Sequence, residues 1–252
     1  MEEYQEKFLH TLVRSGGLKF YKKFILDKNG FELNSGRISP YYINIAESCR
    51  FGYYQSLIID AYVKAIKKQI GFENFDHIHG PAYKGIQLSE VIKSYLWEKY
   101  GVNKTSGYDR KEIKNHGDPN EKIIINPPST LDRVLIVDDV TTTGKTIIEN
   151  VYKLTKYVSH FFQIKYALVG FDREEKSRFF GTKSDKILKK LGIVEKEKNP
   201  SEELRDMHIS FHKIIGAKEA IKYLYENEID GKKYVNDTIL KGCKEYWNKY
   251  GY

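Results

Sequence analysis

Apolar positions in the first third of the chain recur mostly at helical spacing. Phe8, Leu9, Leu12 and Val13 lie three to four residues apart, which predicts a helix over Glu3–Arg14. The glycines that follow at 16 and 17 end it. A second stripe of the same kind predicts a helix over 54–70. Between the two helices the pattern predicts short extended pieces over 18–20 and 24–26, and two strands around a turn over 31–43.

From residue 77 onward the pattern changes to strand, loop and helix in alternation. Val134–Val137 is a short run of apolar residues only, which is typical of a strand buried on both faces. The alternation favours an α/β fold with a parallel sheet between helices, in which ligands bind beyond the carboxyl ends of the strands. Strands are predicted over 77–79, 134–137, 166–171 and 208–215, and helices over 86–100, 146–157, 217–227 and 233–249.

Residues from about 175 to 206 are dominated by Lys, Glu and Asp. We interpret this stretch as a charged, solvated insertion and not as a second domain. Because no internal repeat or low-complexity linker interrupts the rest, we predict a single domain over residues 1–252.

The chain carries 42 Lys+Arg against 34 Asp+Glu, a formal net charge of +8. It has no zinc-finger spacing, RRM signature or basic heptad region, so we expect no nucleic-acid partner and favour a local pocket for a polyphosphate. Two cysteines exclude a disulfide framework. The charged N-terminus resembles no signal peptide, and no run approaches the ~18 apolar residues of a membrane span. We therefore predict a cytoplasmic protein that does not bind membranes.

The most informative stretch runs from Asp138 to Thr146. It places two adjacent carboxylates at the end of the buried strand, and then three threonines and a glycine at the start of a helix. Hydroxyls, backbone N–H groups and the helix dipole bind an anion there, while the acids suit hydroxyl groups beside a phosphate. A sugar phosphate carries both groups. An ordinary N-capped helix explains only one or two of these residues. A P-loop is excluded because Asp139 stands where that motif needs glycine.

This run resembles the phosphoribosyl pyrophosphate (PRPP) motif of the type I phosphoribosyltransferase family. The resemblance implies that family's parallel sheet flanked by helices, with a small N-terminal hood from about 1–45 plus C-terminal elements. It also implies that Asp138 and Asp139 hold the ribose hydroxyls. The residues implied to bind the remainder of PRPP in this run are Val140, Thr141, Thr142, Thr143, Gly144, Lys145 and Thr146.

Four further segments resemble orotate phosphoribosyltransferases, in that family's order along the chain. They correspond to a mobile catalytic loop, a pyrophosphate loop, a hood segment and a strand end whose arginine contacts orotate. The resemblance implies transfer of the 5-phosphoribosyl group from PRPP to orotate, giving orotidine 5′-phosphate and pyrophosphate in pyrimidine synthesis. The segments are, in the same order, 108–117, 80–85, 35–42 and 171–174.

The predicted catalytic loop places Arg110, Lys111, Lys114 and His116 within seven residues. A solvated basic loop is the ordinary alternative, but cationic donors also stabilise the negative charge that develops on departing pyrophosphate. By resemblance, Lys84 and Lys111 act in the subunit's own site, and the other three residues reach the neighbour's site. That arrangement implies a homodimer. Tyr83 is implied to contact PRPP beside Lys84.

For the base, Arg173 offers paired donors to a planar polar edge, although an ion pair with Asp172 or Glu174 is the alternative. The resemblance adds Tyr42, Ile43 and Thr142 to the orotate site. The chain departs from the family at two positions: Asn34 and Ile38 stand where lysine is usual.

Mg²⁺ is the implied cofactor, held mainly through substrate oxygens and with no protein ligand assigned. A complex with orotidine 5′-phosphate decarboxylase is a further hypothesis from the family's biology. Two alternative functions stay open: a phosphoribosyltransferase for another base, and a PRPP-binding regulator without catalysis.

Overall fold

The computed structural model describes residues 1–33, 35–112, 123–176 and 200–252, which alternate between helices and strands. The helices are α1 (Glu3–Arg14), α2 (Phe24–Asp27), α3 (Ile45–Ser48), α4 (Gly52–Gln69), α5 (Lys84–Tyr100), α6 (Lys145–Tyr157), α7 (Pro200–Asp206), α8 (Ala217–Glu226) and α9 (Asp237–Tyr250). The strands are β1 (Leu18–Phe20), β2 (Phe31–Glu32), β3 (Ile38–Ser39), β4 (Tyr41–Ile43), β5 (His77–Gly80), β6 (Thr105–Asp109), β7 (Ile124–Ile125), β8 (Arg133–Thr141), β9 (Gln163–Asp172) and β10 (Ser210–Gly216).

Six strands form the central sheet in the order β10-β9-β8-β5-β6-β7. All neighbours are parallel except β6 and β7, which are antiparallel. The predicted α/β fold with a mostly parallel sheet is therefore confirmed. No helix in the described ranges is long and apolar enough to cross a membrane.

Strand β8 is buried on both faces, as its apolar run predicts. Leu135 and Val137 point into one hydrophobic cluster, which also contains residues of α1, α4 and α5. Val134 and Ile136 belong to the other cluster, which also contains Ile147 and further residues of α6. The alternation follows from the two-residue period of a strand, and it fixes β8 in the middle of the molecule.

The N-terminal hood consists of two small antiparallel pairs. Strand β1 pairs with β4, and β2 pairs with β3. The hood is joined to α9, because the indole N–H of Trp247 donates to the Tyr41 hydroxyl at 3.2 Å. The rings of Tyr41 and Tyr246 also pack edge to face. N-terminal and C-terminal segments thus form one cover beside the sheet.

The prediction of an extended piece over 24–26 is wrong, because these residues lie in α2. This helix has four residues, and Lys28 ends it in the left-handed conformation at φ 57°. One helical turn is too short to display a 3.6-residue period, so its apolar residues resemble a strand. Phe24 of this turn lies against Gly242 of α9.

The predicted strand over 134–137 is also longer than expected, since β8 extends to Thr141. Asp138 and Asp139 therefore lie within the sheet, and only the residues after Thr141 form a loop. In the sequence, the first polar residue after the apolar run suggests that the buried strand has ended. In the structure, hydrogen bonding with β9 continues past the two aspartates.

Residues 177–199 of the predicted charged insertion lie outside the described residues. Both flanks of that segment are packed into the domain: Glu175 is fully buried, and Leu204 of α7 is in the core. The solvated character expected for the stretch does not hold at these two residues. The single-domain organisation stays a prediction.

Two buried histidines on β5 give a pH prediction. His77 Nδ1 lies 2.9 Å from the Thr105 hydroxyl, and His79 Nε2 lies 3.2 Å from Asn150 Oδ1. Burial lowers the pKa of His77 to about 3 and that of His79 to about 4. Below pH 6.5 the two histidines therefore bind protons in the unfolded chain but not in the folded chain. Their contribution to the free energy of unfolding is fully present above pH 6.5 and is lost as the pH falls.

We expect the free energy of unfolding in urea to fall by roughly 2–5 kcal/mol between pH 7 and pH 4.5. The double variant His77→Gln/His79→Gln should flatten this slope. The exposed His208 provides the control, and His208→Asn should keep the slope of the unsubstituted protein. An unchanged slope in the double variant would assign the pH dependence to other groups.

Candidate active site

A cavity of about 1000 Å³ lies over the carboxyl end of β8. Its walls come from the hood, from the loop after β5, from the residues that join β8 to α6, and from the segment after β9. Tyr250 of α9 and Lys111 also border it. The chain thus places its polar loops where ligands bind in parallel sheets.

The acidic pair lies on the floor of this cavity. Asp138 and Asp139 are 6% and 7% exposed. One oxygen of Asp138 accepts the backbone N–H of Asp139 at 2.9 Å, and Asp139 Oδ2 forms an ion pair with Lys84 Nζ at 2.9 Å. The Tyr62 hydroxyl supports the strand from below by donating to the Asp138 carbonyl at 2.9 Å.

Burial, reinforced by the neighbouring Asp139 charge, raises the pKa of Asp138 well above its usual value. Burial opposes the charged form of Lys84, but the Asp139 carboxylate outweighs it and raises the pKa of that amine. Two adjacent carboxyl groups with one attached ammonium form a site that accepts hydrogen bonds from a pair of neighbouring hydroxyls.

The segment after β8 forms the second part of the site. Gly144 adopts φ 74°, which favours glycine, and α6 begins at the next residue. The backbone N–H of Gly144 donates to the Thr141 hydroxyl at 3.1 Å, which holds the turn closed. The N-terminus of this 13-residue helix, with its partial positive charge, therefore borders the cavity beside Asp139. The cavity residues of this segment are Val140, Thr141, Thr142, Thr143, Gly144, Lys145 and Thr146.

The loop after β5 is tied to the end of β6 and to α6. The Ala82 N–H donates to Asp109 Oδ1 at 2.8 Å. The other oxygen of Asp109 pairs with Lys153, whose ammonium also donates to the Arg110 carbonyl at 3.3 Å. Asp109 is 1% exposed. This ion pair sets the loop that carries Tyr83 and Lys84 against Arg110 of the predicted catalytic loop.

The predicted catalytic residues divide into two groups. The structure brings Lys84 and Lys111 to the same cavity, and Lys111 Nζ lies 4.4 Å from the ring centre of Tyr83. Arg110 is half-buried and does not border the cavity. Lys114 and His116 lie outside the described residues, as does Asn34 in the hood.

Arg173 borders the cavity directly after β9 and is 2% exposed. Its Nε donates to Glu175 Oε1 at 2.7 Å, and its Nη2 donates to the Ser39 hydroxyl at 2.7 Å. The guanidinium carbon lies 4.3 Å from the ring centre of Tyr41. Arg173 thus pairs with Glu175 and not with Asp172 or Glu174, the partners considered as the alternative from sequence, since both of these carboxylates pair with Lys213.

Glu175 is a site residue that sequence reasoning missed. It also accepts from Arg37 Nη1 at 2.5 Å and from the Tyr246 hydroxyl at 2.9 Å. Its position two residues after Arg173 was the only sequence signal, and the charged stretch that follows concealed it. Tyr42, Ile43 and Thr142 border the cavity as well.

This geometry agrees with comparisons to known proteins. Orotate phosphoribosyltransferase of Clostridium acetobutylicum is 31% identical over 252 residues, which cover all of this chain and 99% of that protein. The enzyme of the same name from Agathobacter rectalis is 32% identical over 252 residues, with the same coverage. The chain belongs to the orotate phosphoribosyltransferase family.

Solved structures support this membership in the orotate phosphoribosyltransferase family. Orotate phosphoribosyltransferase of Francisella tularensis superposes with a TM-score of 0.69 at 26% identity, covering 97% of this chain and 99% of that one. UMP synthase of Leishmania donovani shares the fold, with a TM-score of 0.68 at 18% identity over 98% of this chain and 43% of that one. No family model matches the chain. The resemblance drawn from the sequence motifs is confirmed, and so is the type I phosphoribosyltransferase fold.

Proposed function

We propose that the chain transfers the 5-phosphoribosyl group from PRPP to orotate, giving orotidine 5′-phosphate and pyrophosphate. The observation that carries this proposal is a single cavity that joins an acidic pair, a helix N-terminus rich in hydroxyls and a cationic rim. Full-length similarity to enzymes named orotate phosphoribosyltransferase supports it.

The sugar phosphate would occupy the floor of the cavity. Asp138 and Asp139 accept hydrogen bonds from the two ribose hydroxyls, and the residues from Thr141 to Thr146 surround the 5-phosphate. The helix dipole of α6 favours that phosphate, because anions are stabilised at a helix N-terminus. The same carboxylates favour the positive charge that the ribose ring develops as its bond to pyrophosphate breaks.

The leaving group would lie against Lys84 and Lys111. Breakage of the bond between the anomeric carbon and the pyrophosphate oxygen places negative charge on the departing oxygen, and both ammonium groups stabilise it. A ring nitrogen of orotate then forms the new bond to the anomeric carbon with its electron pair, and the proton of that N–H passes to the departing pyrophosphate or to water. Tyr42, Ile43, Thr142 and Arg173 would hold the base in line for that step.

The oxygen atoms of the cavity floor and of the substrates suit a hard cation such as Mg²⁺. No group of three or more His, Cys, Asp or Glu side chains within the described ranges could hold a metal alone. Carboxylate oxygens at the cavity floor, together with substrate oxygens, match the ligands that Mg²⁺ takes. Asp138 and Asp139 would hold the ribose hydroxyls beside it. When bound, the ion neutralises charge on pyrophosphate.

Three further features belong to this proposal. The chain forms a homodimer in which Arg110, Lys114 and His116 reach the neighbour's site. It associates with orotidine 5′-phosphate decarboxylase, and it works in the cytoplasm. If a pull-down of the decarboxylase is unaffected by deleting residues 177–199, the inserted segment does not mediate that association.

The decisive experiment follows orotate by its near-ultraviolet absorbance, with and without PRPP and Mg²⁺. We expect consumption only when all three are present. Uracil and adenine, offered in competition, test the alternative of another base. PRPP binding without any turnover would favour the alternative of a regulator, and no binding of PRPP would reject the proposal.

Asp138→Asn gives a prediction for the sugar site. The amide keeps the acceptor for the Asp139 N–H, so the fold should persist, but its NH2 group replaces the second oxygen, which accepts from a ribose hydroxyl. Because a lost hydrogen bond at a buried polar group costs about 1–3 kcal/mol, the Kd for PRPP should rise roughly 10- to 100-fold in calorimetry. Asp132→Asn, just before the other end of β8, should bind PRPP normally. Equal affinities for the two variants would contradict the assignment.

A further inference from the structure

Arg37 is a buried residue of the hood, and the family resemblance assigns it no contact with a substrate. It borders the cavity and is 3% exposed. We infer that Arg37 is a second base-site arginine, whose guanidinium binds the carboxylate of the pyrimidine substrate. This inference rests on the proposed function and adds the residue that distinguishes a pyrimidine carboxylate from a neutral pyrimidine.

Within the described residues, two of the five N–H donors of Arg37 have hydrogen-bond partners. Its Nη1 donates to Glu175 at 2.5 Å, and its Nη2 donates to the Lys176 carbonyl at 2.8 Å. The guanidinium carbon lies 4.9 Å from the ring centre of Tyr250. Its Nε is buried and has no hydrogen-bond partner among the described residues. A guanidinium that borders the cavity with N–H groups left over can donate to an acceptor on a ligand in that cavity.

Charge among the buried groups around Arg37 is unbalanced. Two buried guanidiniums, those of Arg37 and Arg173, share the single carboxylate of Glu175. The neighbouring acids along the chain, Asp172 and Glu174, are paired with Lys213. One positive charge is thus in excess among these buried groups, and a substrate bearing one negative charge neutralises it.

The acidic pair has partners of its own. Asp139 pairs with the ammonium of Lys84, and Asp138 accepts from the Asp139 N–H. The acidic pair and the two arginines therefore form separate parts of the cavity wall, one for hydroxyl groups and one for an anionic base.

Arg37→Gln tests the inference, because it removes the cation and leaves Glu175 paired with Arg173 and Tyr246. We expect the KM for orotate to rise roughly 10- to 100-fold, as expected for the loss of a hydrogen bond between charged groups. The inhibition constant of uracil, which lacks the carboxylate, should stay within twofold of its unsubstituted value. The Kd for PRPP should also be unchanged. Arg37→Lys, which keeps the charge, should recover part of the affinity for orotate.

Arg14→Gln is the matched control, since Arg14 is also an ion-paired arginine but lies on the surface with Asp230. It should change none of these constants. Equal weakening of orotate and uracil by Arg37→Gln would show a structural role and overturn the inference, and so would an unchanged KM for orotate. If Arg37→Gln does not fold, the same comparison of orotate with uracil in Arg37→Lys decides. Failure of the unsubstituted protein to consume orotate would reject the proposed function instead.

Discussion

Replacing Lys111 by alanine should lower kcat by about 10²–10³-fold, which is the usual effect of removing one preorganised donor to a developing negative charge. Lys111 borders the cavity next to Lys84, and its ammonium lies over the ring of Tyr83. Since the side chain is exposed, the free energy of unfolding should change by no more than about 0.5 kcal/mol. Initial rates of orotate consumption and urea unfolding measure the two quantities.

Lys241→Ala is the control for Lys111→Ala, because Lys241 is exposed on α9. It should turn over orotate normally. Normal turnover by Lys111→Ala would show that the loop assignment is wrong.

Mixing Lys111→Ala subunits with Lys114→Ala subunits tests the shared site of the proposed dimer. Half of the randomly paired dimers are mixed, and each of these keeps one of its two sites, so roughly a quarter of the activity should return. No recovery on mixing would mean that both lysines act in the same subunit.

Replacing Glu175 by glutamine should lower the free energy of unfolding by about 3–5 kcal/mol. The glutamate is fully buried and is the only carboxylate within the described ranges that pairs with Arg37 or Arg173. Its loss leaves two guanidiniums in the protein interior without a counter-charge. Guanidinium chloride unfolding followed by fluorescence measures the change.

Glu174→Gln is the matched control for Glu175→Gln, since the two residues are adjacent. Lys213, the partner of Glu174, keeps its second ion pair with Asp172. We therefore expect a loss well below that of Glu175→Gln. Equal stability of the two variants would mean that the ion pairs of Glu175 with Arg37 and Arg173 do not hold the hood to the sheet.

Much of the fold could be predicted from sequence, because its strands and longer helices have clear periods. Helix α1 agrees with its predicted bounds, and the apolar run at 134–137 lies within the strand at the centre of the sheet. The single turn α2 could not be predicted, since four residues do not show a helical repeat. The full length of β8 was hidden because its last residues are polar and serve the site.

The candidate site was predicted only where a motif runs along the chain. Residues 138–146 are adjacent in sequence, and the structure brings all of them to the cavity. Contacts between distant residues could not be predicted. Glu175 meets Arg37 across 138 positions, and Lys153 meets Asp109 across 44. Each of these residues looks like an ordinary surface charge until the fold places its partner beside it.

The location of the acidic pair within β8 has a consequence for inhibitors. Asp138 is held in register with Val169 of β9, so the carboxylates are as rigid as the sheet itself. A compound built on the ribose phosphate would meet this preformed surface. Its affinity should therefore survive a substitution of Lys111, whereas the affinity of a pyrophosphate mimic, which would lie against Lys111, should fall.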